Sequence, residues 1–163
     1  MSKGDPTRTT GLRNRFMGEA GRRFRKLKGR IRQVVVEDDG FGLRGPTTNA
    51  GRFEFKRSDE KVEKFMDWLQ DAIQSEILTV SEGTPMRQAG RRAWTHMYIE
   101  TAYQKGIQQS AAKMRSKGAT VEETWVSQAF NRPMHADRVG LIYTRVFEEL
   151  RGITEAMSQQ ISR

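Results

Sequence analysis

Residues 5–38 read DPTRTTGLRNRFMGEAGRRFRKLKGRIRQVVVED, and their pattern sets the expectation for the whole chain. Asp5 before Pro6 is a helix start, an N-cap acid followed by a proline whose missing N–H costs nothing in the first turn. Apolar residues then recur at Leu12, Phe16, Ala20, Phe24, Leu27, Ile31 and Val34 or Val35, in steps of three or four. That is one stripe of an α-helix, running to about Asp38, where Asp39-Gly40 supplies a stop. At 1.5 Å per residue such a helix reaches roughly 50 Å, longer than a small domain is wide.

Opposite the stripe fall Arg8, Arg15, Arg22, Arg25, Lys26, Lys28 and Arg32, interleaved with Gly11, Gly18, Gly21 and Gly29. Each glycine costs a helix up to about 1 kcal/mol relative to alanine, so the arm is expected to be weakly helical until it docks. Arg13 and Arg23 fall within the apolar sector and interrupt the stripe.

Working outward, the chain has 163 residues with 29 Lys+Arg, 20 Asp+Glu and a net charge of +9. Residues 1–34 hold eleven basic and two acidic side chains, and the other 129 residues carry eighteen of each sign. The entire excess therefore sits on one arm attached to a neutral body. Such asymmetry points to a polyanion, most often nucleic acid, or to an acidic protein or membrane surface. With 36% hydrophobic and 30% charged residues the chain is polar for a compact globule, and contacts with something else are expected. The absence of cysteine excludes a disulfide scaffold, Cys-ligated metal and thiol catalysis. No apolar run approaches the ~20 residues of a membrane span, and the N-terminus lacks a signal-peptide core. A soluble protein made in a cytoplasm is expected.

Beyond the arm, residues 39–57 are expected to be a Gly-rich linker with one short extended piece at Phe53–Phe55. The body, residues 58–163, reads as three to four helices. Ser58 or Asp59 caps a helix carrying Val62, Phe65, Met66, Leu69, Ala72, Ile73 and Ile77. Thr84-Pro85 starts a second, running to about Ser116, whose apolar residues project on nearly all sides, so it is expected to be the central, most buried helix. Thr120 to Glu123 can start a short helix that Asn131-Arg132-Pro133 breaks. From about His135 a last helix carries Val139, Ile142, Val146, Leu150, Ile153, Met157 and Ile161, and the chain stops within this pattern. The fold class expected is mostly α: a long basic N-terminal helix (1–38), the linker, then the helical body.

Few motifs carry chemistry. Gly40-Phe-Gly42-Leu-Arg-Gly45 matches G-x-G-x-x-G after Val34-Val35-Val36, but Pro46-Thr47-Thr48-Asn49-Ala50-Gly51 follows where a dinucleotide site needs a helix. A linker is the better reading. His96 and His135 lie on different expected helices without a second ligand at i+3 or i+4, so no metal site is expected. His135-Ala136-Asp137 lacks an accompanying nucleophile. Glu122-Glu123 and Glu148-Glu149 point about 100° apart on a helix, and with the Asp59, Glu60 and Glu63 group they suit solvated faces and helix-dipole placement. No catalytic residue and no cofactor is expected. The basic arm is the one strong signal, suited to phosphate contact without base reading, or to an acidic partner surface.

The C-terminal half carries a resemblance. Phe130-Asn-Arg-Pro133-Met-His135-Ala-Asp137, then Leu141-Ile-Tyr143-Thr-Arg145 and Leu150-Arg-Gly152-Ile-Thr154 running into an amphipathic helix to Ile161, resembles tailed-phage minor head (head morphogenesis) proteins of the Mu F type. Asp5-Pro6-Thr7-Arg8, Trp68-Leu69 and Trp94-x3-Tyr98-Ile-x2-Ala102-Tyr103-x2-Gly106 fit it too. In that family a further helical region follows, so the body is expected to continue beyond Arg163 in the complete protein. The resemblance implies a structural, non-enzymatic virion component inside the head at the portal vertex, assisting head assembly and genome packaging or delivery. Its implied partners are the portal protein, the major capsid or scaffold protein and genomic double-stranded DNA, with several copies around the portal and no membrane. Its implied location is the capsid interior, and the host cytoplasm during assembly. A free-standing nonspecific DNA-binding protein using the same arm is the alternative.

Overall fold

The computed structural model describes residues 8–42, 59–79 and 85–161. These residues are mostly helical, and no strand occurs among them. In chain order they form α1 (Thr10–Ile31), α2 (Asp59–Ile73), α3 (Met86–Arg92), α4 (His96–Ser116), α5 (Glu123–Ala129) and α6 (Pro133–Ile161). Two wider π-helical turns, Arg32–Glu37 and Gln74–Leu78, extend α1 and α2. Asp5, Pro6, Ser58, Thr84 and most of the 39–57 segment, including Phe53–Phe55, lie outside the described residues.

Two compact units divide the chain, and α1 and α6 each contribute a segment to both. The first comprises residues up to Glu19 together with Gly83–Glu149. Its buried residues include Leu12 of α1, Ala89 and Ala93 around α3, Ala111 of α4, Ala129 of α5, and Val139, Tyr143 and Phe147 of α6. Ala89 and Gly90 let α3 approach the α6 backbone closely: a Cβ on Gly90 would sit 2.7 Å from the carbonyl oxygen of Tyr143. Phe16 of α1 stacks on Trp94 at 5.2 Å and meets Tyr98 edge-on at 5.5 Å, which seats the stripe of that half of α1.

The segment from Pro85 to Ser116 is two helices where one was expected. Ala93 takes an extended conformation (ψ 148°) and ends α3, and His96 Nδ1–H donates to the Ala93 carbonyl at 2.8 Å to close the corner. The break aims Trp94 at Phe16 and places Thr95 at full burial. Nor is α4 the most buried helix. Only Ala111 is buried along it, and Met97 and Met114 are half exposed. Its all-round apolar pattern instead lines an open groove of about 600 Å³ with Trp125 and Ile142.

The second unit holds Ala20–Glu82 and Leu150–Arg163. Its core is Leu27 of α1, Phe65, Leu69, Ala72 and Ile73 of α2, Ile77 and Leu78 of the π turn, and Leu150 with Thr154 of α6. Phe41, Phe65 and Trp68 form an aromatic cluster with centroids 5.6–6.2 Å apart. Lys61 donates to the Gly42 carbonyl at 2.6 Å, tying the turn after the first π segment to α2.

The buried side of α6 is Val139, Tyr143, Phe147, Leu150, Thr154 and Ser158, with Ile142, Ile153 and Ile161 of the expected stripe exposed. At 100° per residue Ile142 and Ile153 fall at the edge of the apolar arc of α6, whereas Ile161 is the last residue of the helix.

Candidate nucleic-acid interface

The seven cations singled out by periodicity are all exposed. Arg15, Arg22, Arg25, Lys26 and Lys28 lie on α1 itself, while Leu12 and Leu27 on the opposite side are buried at 7% and 1% exposure. Amphipathicity explains this partition: the aliphatic stripe gains by leaving water, and the guanidinium and ammonium groups would lose far more by following it.

Arg8 and Arg32 differ from the other five. Arg8 precedes the first helical residue and has a left-handed backbone (φ 51°), so helical phase does not place it. Arg32 lies in the π turn and pairs with Glu37 at 3.2 Å. Gly11, Gly18 and Gly29 share the exposed face, and a Cβ on any of them would meet nothing within 4 Å.

In the second unit a different carboxylate organises the flank of this face. Glu76, on the π turn after α2, takes Lys26 Nζ at 2.8 Å on one carboxylate oxygen and Arg30 at 3.2 Å on the other. Arg23 donates to the Glu76 main-chain oxygen at 2.9 Å. That carbonyl belongs to the last turn of its helical run, where no helical N–H remains to satisfy it, so the guanidinium acts as a cap. Arg30 also lies over the Trp68 ring, 5.8 Å from its centroid. The Glu76 carboxyl is held below its ordinary value, chiefly by the Lys26 hydrogen bond, with Arg30 adding to it and burial opposing.

Sequence reasoning missed Glu76, although a signal was present. At 100° per residue Glu76 projects between Phe65 and Leu69, inside the apolar sector of α2. An acid on a face that packs inward requires a cation opposite it. Lys26 and Arg30 answer its carboxylate; Arg23, the interruption noted in the stripe of α1, reaches its main-chain oxygen, and Arg13, the other interruption, is exposed.

The remaining candidates have local roles. The histidines make separate contacts: His96 with the Ala93 carbonyl, and His135 Nδ1 with the Tyr103 hydroxyl at 2.7 Å. Asp39 to Gly42 form a tight turn closed by Gly42 N–H to Asp39 O at 2.8 Å; it follows a π-helical turn containing Val34–Val36, and Gly45 lies outside the described residues. Arg145 pairs with Glu149 at 3.2 Å one turn on, a solvated i,i+4 contact. Among the described residues no group of three or more His, Asp or Glu could hold a metal ion, and no helix is long and apolar enough to cross a membrane.

What α1 offers chemically is a set of exposed guanidinium and ammonium groups on the side of the helix away from its buried leucines. No family model matches the chain, and no curated protein or solved structure matches it either.

Proposed function

We propose that the chain is a structural virion protein of a tailed phage, a minor head protein at the portal vertex or inner capsid that assists head assembly and genome packaging or delivery. The reading is non-enzymatic and without cofactor, with the organisation of a basic N-terminal helix, a Gly-rich linker and a helical body. The exposed cations of α1 lie against the backbone of packaged double-stranded DNA or an acidic portal surface, and copies of the body dock around the portal ring or on capsid or scaffold protein. The observation that carries the contact is the exposure of all seven cations, five of them on the helix that buries Leu12 and Leu27, on a chain whose residues 35–163 sum to zero charge. The virion assignment is supported by the minor-head resemblance of residues 130–161.

Two measurements on the full chain test it. Binding to a mixed-sequence duplex is expected to weaken steeply with salt, log K falling by about 0.9 per decade of salt for each phosphate contacted. Capture of an isolated portal ring by the same chain is expected alongside. DNA binding without portal capture favours the free-standing nonspecific DNA-binding alternative. A flat salt response together with no portal capture overturns the reading.

A further inference from the structure

We infer that Glu76 decides which cations of α1 a polyanion can use: it engages Lys26, Arg30 and Arg23, while Arg25 and Lys28, which it does not engage, are phosphate-contacting groups on that half of the helix. The inference rests on the polyanion reading above and narrows its surface from a list of cations to a geometry.

A carboxylate offers a cation the same chemistry as a phosphate oxygen, so a cation already held by one makes a poor phosphate contact. The Glu76 side chain is only 16% exposed, whereas Lys26 and Arg30 are 66% and 44% exposed. The anion is therefore recessed at the base of the flank, with the two cations reaching in to it. A single exposed ion pair is weak. Here one recessed carboxylate takes two donors, and its own main-chain oxygen takes a third from Arg23, so the groups act as a network. Arg30 is further constrained by its position over Trp68. The lowered Glu76 carboxyl reports the same attraction from the acid's side.

Arg25 and Lys28 are exposed and make no ion pair or hydrogen bond among the described residues. Three residues apart, they lie on the same side of the helix, turned away from Glu76. Glu76 is thus a positioning residue: it holds Lys26 and Arg30 against its own carboxylate and leaves the cations turned away from it to face a polyanion.

The test is a salt titration of duplex binding by the full chain and four single variants. Lys28→Gln and Arg25→Gln are each expected to flatten the log K against log salt slope by about 0.9. Lys26→Gln, an equal loss of charge on another exposed side chain, is expected to leave the slope unchanged. Glu76→Gln is expected to steepen it by about 0.9 or more and to raise affinity several-fold at low salt. Should Glu76→Gln lose its fold, the comparison of Lys26 with Lys28 decides alone, since both side chains are on the surface. Equal flattening by Lys26→Gln and Lys28→Gln overturns the role of Glu76 while leaving DNA binding intact. Absence of salt-dependent binding by the unaltered chain overturns both this inference and the reading beneath it.

Discussion

Thr95 Oγ1 is buried with no hydrogen-bond partner among the described residues, on a residue with no exposed surface. A hydroxyl stripped of water without a replacement partner costs about 1–3 kcal/mol. Thr95→Val keeps the shape and removes the polar atom, so it is expected to raise the urea midpoint, by an amount on the order of 1 kcal/mol. Gly90, five residues earlier, works in the opposite sense, because its missing side chain admits the Tyr143 main chain. Gly90→Ala places a methyl at 2.7 Å from a backbone oxygen that cannot swing aside. Overpacking of this kind costs about 1–3 kcal/mol, and the midpoint should fall accordingly. A Gly90→Ala protein as stable as the parent would show that the α3–α6 crossing is looser than described. Glu76 adds a pH signature. Its folded pKa lies below the ordinary value of 4.5, so its contribution is complete above that pH and is lost as pH falls through the lower folded value. The midpoint difference between the parent and Glu76→Gln is expected to be present at pH 7 and to shrink below about pH 4.5. A difference unchanged at pH 3 would assign the effect to packing instead of charge.

At the level of elements, α1 combines a packed stripe with a glycine-rich outer face, and the two can be separated. Gly18 and Gly29 are interior to the helix and exposed, and among the described residues nothing lies within 4 Å of a Cβ added at either. Gly18→Ala and Gly29→Ala are each expected to stabilise by up to about 1 kcal/mol through helix propensity alone. Eleven residues apart, roughly 16 Å along the axis, they should add. A loss of stability in either variant would place an unrecognised contact on that face. The same separation explains what could be read from sequence. The stripe of α1, the start of α2 near Asp59, the short α5 and a last helix beginning near His135 all follow from local periodicity and breakers, which act within a few residues, although Pro133, read as a breaker, is the first residue of α6. The division of 85–116 into α3 and α4 was not legible, because Ala93 is a good helix former and the break is set by Trp94 reaching Phe16 and Gly90 meeting Tyr143. The buried side of α6 was misplaced for a related reason: Ile142 and Ile153 are as apolar as Val139 and Leu150, and only the neighbours covering the helix choose between them. The exposed cations were legible from phase; the carboxylate that engages some of them was not, since pairing needs two helices brought together.

For the whole molecule, the +9 charge lies on residues 1–34 and the helix within them, α1, also supplies part of the core, and this determines how the charge can be tested. Removing residues 1–34 removes every excess cation, but it also removes Leu12 and Leu27, one from the buried interior of each unit. Truncating a fully buried leucine to alanine typically costs 2–5 kcal/mol, a large share of the 5–15 kcal/mol that holds an ordinary domain together. Loss of DNA binding after such a deletion would therefore report unfolding as readily as lost contact. Neutralising the outer face avoids the ambiguity. Arg15→Gln, Arg25→Gln and Lys28→Gln together change only exposed side chains and leave both leucines and the Glu76 network in place. The triple variant is expected to keep the circular dichroism and cooperative melting of the parent. Its duplex affinity should fall, and its salt slope should flatten by up to about 2.7, three contacts at about 0.9 each. Leu27→Ala is the converse control, with lowered melting temperature and the surface charge untouched. If the triple variant binds duplex with the parent's slope, the phosphate contacts lie elsewhere, and the exposed face of α1 serves a protein partner instead.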